Sequence, residues 1–245
     1  MTFSSWRGTM GLIKPTHRPG SLEETIRLLP EGIGVIPMTV GIKEGNVKEF
    51  RKVLEVIEGH VRHLAELGVD LIAPAGAPPF MVHGYAGERK ILDAWQDAYG
   101  LPVVTSGVTQ VEAMKALGVK SIVGVTYFPD ELNTMFAKYF TDAGIEVLDM
   151  DGIDVAFNEV QKLSSHEVYA HTKAAYLRHP EADMIYMLGA GWRVLDVISL
   201  LEQDLDVPVL HSVAARVWHT QRHFHVGQRT QGFGRLLSEL PPLVS

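Results

Sequence analysis

Asp70–Phe80 reads DLIAPAGAPPF, a short apolar run that breaks into a turn of Pro, Ala and Gly. A run of this length closed by Gly and Pro predicts a buried parallel strand whose carboxyl end opens into a loop. Ligands of open α/β sheets sit beyond the carboxyl ends of the strands, so this turn is the first candidate for a small-molecule site. Asp183–Trp192, DMIYMLGAGW, repeats the pattern about half a chain later. It too runs from an Asp through an apolar strand into a turn holding Gly-Ala (Gly76-Ala77 and Gly189-Ala190). The repetition predicts two similar lobes, each lending one strand-end turn to a shared cleft.

On the amino side of the first turn, Thr9–Ile13 predicts a strand that ends in the polar, basic loop Lys14–Gly20. Ser21 and Glu24 have capping-box spacing for a helix over Leu22–Leu29. Pro37 places the strand Gly34–Met38 at a sheet edge or strand end. Phe50, Val53, Leu54, Ile57, Val61 and Leu64 fall on one helical face, predicting a single helix from Gly45 to Leu67. Past the turn, Glu88–Tyr99 reads as helix and Pro102–Thr105 as strand. Ser121–Thr126, Val147–Met150, Met184–Leu188 and Val207–Leu210 are the later strands, with a helix over Asp154–Lys162 among those between them. Strands alternating with helices of about ten residues give a parallel, Rossmann-like α/β architecture. The expected division is an N-terminal lobe over 1–105 and a C-terminal lobe over 106–214, with 215–245 packing back on the first.

Composition narrows the chemistry. The 245 residues carry a formal charge of −7 and no cysteine. The acidic balance gives no basic field for nucleic acid or an anionic membrane, so an anionic ligand needs local cations or oriented amides. Without thiols there are no disulfides, thiolate metal sites or sulfur nucleophiles. No run reaches the roughly 18 apolar residues of a membrane span. MTFSSWRGTMGLIKP lacks the pattern of a signal peptide. The expectation is a soluble, cytoplasmic protein. GxGxxG after a strand, GxxxxGK[ST] and GxSxG are all missing, so no cofactor is expected. His60 and His63 on a helix, and His223 and His225 near the end of the last long helix, match no recognised metal signature, and no metal site is expected.

GLIKP (Gly11–Pro15), the PAGAPPF turn, GVTYFPDELN (Gly124–Asn133), the MLGAGW turn with Asp196 after it, and DVPVLHS (Asp206–Ser212) occur in order. Together they resemble the aspartate/glutamate racemase superfamily, in particular its arylmalonate decarboxylase and maleate cis-trans isomerase branch. The resemblance covers nearly the whole chain. It implies two pseudo-symmetric α/β lobes with the active site between them, and a small carboxylate as substrate. It is also compatible with a homo-oligomer. Racemases and isomerases of this family carry a cysteine at each strand-end turn, and decarboxylases keep only the second. Here Gly76 stands at the first position and Gly189 at the second, so two-thiol racemisation and one-thiol protonation are both excluded.

The resemblance further implies a carboxylate pocket of turn amides and a tyrosine after the central strand, matched here by Tyr127. Pro15, Gly76, Ala77 and Pro78 would form one side of it, and Gly189, Ala190 and Gly191 the other. Ala77 keeps an N–H to offer, whereas Pro78 has none. With both thiols gone, His17 and His211 at strand ends, and His83 just past the first turn, become candidates to move protons. Lys14, Arg18 and Arg193 could pair with a carboxylate, and Arg193 follows the second turn directly. Asp196 reads as a helix cap. Loss of carbon dioxide needs only charge stabilisation and one proton, so a decarboxylase survives the loss of both thiols better than a racemase. The alternatives are a catalytically silent carboxylate-binding protein, and an isomerase or hydrolase using a histidine-activated water.

Overall fold

The computed structural model describes residues 4–243, so the first three residues of the N-terminal stretch and the last two of the tail lie outside it. The first half runs β1 (Gly8–Lys14), α1 (Gly20–Leu28), β2 (Ile33–Thr39), α2 (Val47–Lys52), α3 (Leu54–Glu66), β3 (Leu71–Pro74), α4 (Pro78–Met81) and α5 (Tyr85–Tyr99). The second runs α6 (Ser106–Ala116), β4 (Ser121–Thr126), α7 (Asp130–Asp142), β5 (Glu146–Gly152), α8 (Ser165–Leu177), β6 (Met184–Met187) and α9 (Leu195–Leu205). It closes with β7 (Val209–His211), α10 (Ser212–His223) and α11 (Arg235–Glu239).

Two parallel sheets result, in the orders β2-β1-β3 and β5-β4-β6-β7. Pro37 lies on β2, an edge strand, where its missing N–H breaks no ladder. The strand expected over Pro102–Thr105 shrinks to one parallel bridge between Val103 and Ile72. Pro102 donates no hydrogen bond and the chain turns into α6 at Ser106, which leaves no room for more. With that rung counted, both halves share one strand order, and the two-lobed α/β fold is the one the chain adopts.

The sequence echo has a hydrogen-bond counterpart. Asp70, before β3, accepts from the Thr9 amide at 2.7 Å, pinning the start of β1. Asp183, before β6, accepts from the Lys120 and Ser121 amides at 2.9 and 3.0 Å, pinning the start of β4. Beyond the strands, the Ala75 amide donates to the Ile13 carbonyl and the Leu188 amide to the Val125 carbonyl, at 2.7 and 2.8 Å. Each turn is thus locked to the neighbouring central strand one residue before its glycine. That places Gly76 and Gly189 at equivalent points of the two lobes.

Three local expectations change. The long helix divides at Val53 into α2 and α3. Phe50 on α2 reaches the pocket between the lobes, while Ile57, Val61 and Leu64 on α3 pack in the first lobe's core. Asn46 caps α2 through the Glu49 amide, and the Glu49 carboxylate gathers the amides of Lys43, Glu44 and Gly45. The Ser21–Glu24 capping box does not form: α1 begins earlier, after Pro19, and Ser21 turns inward. A capping box does form at Ser164 and Glu167, at the start of α8. Asp154–Lys162 holds a single 3-10 turn, Val160–Lys162, instead of a helix, because Phe157 and Val160 dip into the cleft.

α10 packs between the halves against α6 and α1, with Ser212–Gln221 buried. The tail returns to it, Trp218 Nε1 donating to the Pro241 carbonyl at 2.8 Å, and also touches α9 through the Arg235 amide and Glu202. No helix among the described residues is long and apolar enough to cross a membrane.

Candidate active site

Between the carboxyl ends of the two sheets lies a pocket of about 530 Å³, counted out to its mouth. Both strand-end turns face it: Gly76, Ala77 and Pro78 from one lobe, Gly189, Ala190 and Gly191 from the other. Pro15 and Thr16 close one side, and Tyr127 enters from the end of β4. Ile42, Phe50, Phe128 and Phe157 supply an apolar wall. Pro15 packs against Gly76 so closely that a β-carbon there would lie 3.0 Å from the Pro15 ring.

Tyr127 is buried, and its ring stacks edge-on against Trp192 with centroids 5.2 Å apart. The Gly191 amide donates to its hydroxyl oxygen at 3.0 Å, which leaves the phenolic proton free for a ligand. Burial pushes its pKa up to about 12, opposed by the Gly191 N–H and by Arg18. The phenol is therefore protonated at neutral pH. Its position is the distinctive feature. A β-carbon built on Gly189 would stand 2.3 Å from Tyr127 Cε1 and 2.5 Å from its hydroxyl oxygen. Gly189 also has φ = +107°, a conformation glycine adopts without strain. Tyrosine thus fills the space that a side chain at the second turn would need.

The basic candidates divide differently from the sequence reading. Arg18, ranked below Arg193, lines the pocket. Its guanidinium lies 4.8 Å from the centroid of the Phe157 ring, and Nη2 donates to the Phe157 carbonyl. Nη1 is buried without a partner among the described residues, 2.7 Å from where a β-carbon on Gly191 would stand, and the Tyr127 hydroxyl is 2.9 Å from the same point. Arg193 instead points to solvent, 75% exposed, and pairs with Asp196 at 3.2 Å. Lys14 is buried below the loop and donates to the Arg18 carbonyl, so it holds Arg18 rather than a ligand.

The histidines also lie outside the pocket lining. His17 is exposed, with Nδ1 3.0 Å from the Thr39 hydroxyl and its ring against Gly41. His83 is exposed past α4. His211 is fully buried, and its Nε2 is 2.8 Å from the Gly189 carbonyl. Nδ1 accepts from the Val213 amide, which assigns the proton to Nε2. Burial pushes its pKa down to about 4, so His211 is a neutral pin for the second turn and cannot reach a ligand. Among the described residues, no group of three or more His, Asp or Glu side chains could hold a metal ion.

Sequence reasoning missed Phe157, Ser21, Ser106 and Ser212, all of which line the pocket. Ser106 and Ser212 each open a helix directly after the last strand segment of their half. That shared place in the echo was the available signal. The amides of Gly76, Ala77 and Ala190 donate to no acceptor among the described residues and stand beside the pocket.

Comparison with known proteins identifies the family and matches the fold. The family model "Arylmalonate decarboxylase" matches residues 10–237. The arylmalonate decarboxylase of Bordetella bronchiseptica is 24% identical over 237 residues, covering 94% of this chain and 97% of that protein. The maleate isomerase of Alcaligenes faecalis is 27% identical over 145 residues, 58% of this chain and 56% of its own. The structure of a maleate isomerase variant from Pseudomonas putida S16 with maleate superimposes with a TM-score of 0.87 at 20% identity, covering 94% and 97% of the two chains. With its fold, its pair of strand-end turns and a match over nearly its full length, this cysteine-free chain belongs to the arylmalonate decarboxylase family.

Proposed function

We propose that this chain is a cofactor-independent decarboxylase of a small dicarboxylic acid, aromatic malonates among them, in which Tyr127 performs the proton transfer. The observation that carries this reading is the Tyr127 hydroxyl standing where a side chain on Gly189 would have to be. The acid group that stays on the substrate binds the free amides of Gly76, Ala77 and Ala190. The acid group that leaves faces Ile42, Phe50 and Phe157, where a carboxylate loses hydration but neutral carbon dioxide does not suffer. When the carbon–carbon bond breaks, its electron pair moves onto the α-carbon and spreads into the retained carboxylate as an enediolate. Amide donors aimed at that developing charge stabilise it more than they stabilise the substrate. Tyr127 then gives its proton to the α-carbon. The resulting phenolate is held by the Gly191 N–H and the unpartnered Nη1 of Arg18 until water restores the proton.

His17 and His211 receive no catalytic role in this scheme, because neither lines the pocket. The second reading, a silent binding protein, draws support from the loss of both thiols. Incubating the protein with malonate, phenylmalonate and maleate in the presence of EDTA separates the readings. Release of carbon dioxide from a malonate supports the decarboxylase, and conversion of maleate to fumarate supports an isomerase. A ligand that raises the melting temperature but is never consumed supports the silent protein.

A further inference from the structure

α10 begins with ten consecutive buried residues, Ser212–Gln221, and one of them is Arg216. Its side chain is among the largest fully enclosed in the protein, at 2% exposure. Nη2 donates to the Thr25 hydroxyl at 2.8 Å, Nη1 lies 3.5 Å from the Ser106 hydroxyl, and Nε is buried with no partner among the described residues. No carboxylate lies within salt-bridge distance of it among the described residues; Glu24 attracts it only from farther away. A buried cation without a partner ion is strongly destabilising, and folds keep one where something else repays it. Lys14 and His211 lie close enough to feel the charge: burial lowers the pKa of each, and Arg216 lowers it further.

Directly in front of Arg216 is the pocket floor. Ser106 is the first residue of α6 and Ser212 the first of α10, and both line the pocket with Ser21. α6 and α10 pack on one another, so two helix amino ends open side by side at this floor, each carrying partial positive charge. Arg18 approaches the same pocket from the loop before α1. In a chain of net charge −7, positive charge is thus gathered around one small pocket.

We propose that Arg216 is a positioning residue of this site, making the serine floor at the α6 and α10 amino ends a second set of donors, beside the turn amides, to the acid group that stays on the substrate. The inference rests on the decarboxylase reading above. It adds that affinity for the retained acid comes from a buried cation one hydroxyl away, which also favours the enediolate, where that group's negative charge grows. Ser106 and Ser212 touch the acid beside those turn amides, and Arg216 acts through Ser106.

The test is equilibrium binding of phenylacetate, an unreactive monoacid, against its neutral analogue phenylacetamide, by calorimetry. Arg216→Met weakens phenylacetate roughly 10- to 100-fold and leaves phenylacetamide unchanged, the size of a lost charge-assisted interaction. Arg216→Lys, which keeps the charge, restores phenylacetate binding to within about threefold. If Arg216→Met does not fold, Ser106→Ala carries the test, with about 3- to 10-fold weaker phenylacetate binding and unchanged phenylacetamide. Equal losses for both probes, no loss for either, or no phenylacetate binding by the unaltered protein overturns the proposal. Acid-selective loss in a protein that releases no carbon dioxide from any malonate leaves the role of Arg216 standing and removes the decarboxylase reading. Turnover of a malonate unaffected by Arg216→Met does the reverse.

Discussion

Tyr127 and Gly189 leave no room for a side chain between them: a β-carbon on Gly189 would sit 2.4 Å from Tyr127 Cζ. The two residues are 62 positions apart and meet only because β4 and β6 are neighbours in the second sheet. The glycine at the second turn and the inward placement of the phenol are therefore one structural feature.

Gly189→Cys follows from this contact. A thiol at the second turn is forced against the Tyr127 ring, and a residue with a β-carbon must take a positive φ. The cost is about 1–3 kcal/mol. For a chain of this size that is a fall of roughly 2–12 °C in melting temperature, read by circular dichroism. A variant as stable as the parent would mean that the ring moves aside freely.

Arg18 and Arg193 give opposite outcomes. Arg18→Gln removes the cation beside the Tyr127 oxygen, and turnover falls roughly 10- to 100-fold. It also shifts the alkaline limb of the pH–rate profile upward, because Arg18 helps hold the phenol's pKa down. Arg193→Gln stays within about twofold of the parent, as suits an exposed pair with Asp196.

His211 shapes the acid limb of stability. Its pKa is about 4 in the folded protein, against an ordinary value near 6.5. Between those values the unfolded chain binds the proton and the folded one does not, so stability is full above about pH 6.5 and falls as pH drops toward 4. His211→Gln keeps a neutral N–H for the Gly189 carbonyl and removes the titration. Urea melts across this range will show a flatter acid limb, by up to about 3 kcal/mol.

Glu88 acts in the opposite direction. It is fully buried on α5, accepts a hydrogen bond from the Tyr139 hydroxyl on α7, and is pushed up to about 7 by burial. The folded state holds this proton more tightly than the unfolded chain, so stability is full below about pH 4.5 and declines as pH rises to 7. Glu88→Gln keeps an acceptor for Tyr139 and removes the decline. Its gain over the parent, up to about 3 kcal/mol, will be largest above pH 7.

What the sequence disclosed, and what it hid, divides by distance along the chain. The Asp–strand–turn pattern is local, and its two copies were enough for the two lobes, the cleft and the turns at Gly76 and Gly189. Arg18 and Arg193 both sit in strand-end loops and look alike in sequence. What separates them is Phe157, which captures Arg18 from 139 residues away. His211 looked like a base because it ends a strand, yet the Gly189 carbonyl claims its N–H. Arg216 was legible in principle: a charge one turn after Ser212, on the same helix face, inside the apolar stretch VAARVW. The helix over Asp154–Lys162 failed because its residues serve the pocket wall instead of a helical ladder.

The most direct measurement is proton NMR of phenylmalonate turnover in deuterated water with EDTA, comparing the parent with Tyr127→Phe. The expected result is phenylacetate carrying one deuterium at the α-carbon from the parent. Tyr127→Phe keeps its fold, and its rate is lower by roughly 100- to 1000-fold. Unchanged turnover by Tyr127→Phe would contradict Tyr127 as the proton donor, and the absence of deuterated product from the parent would contradict the decarboxylase itself.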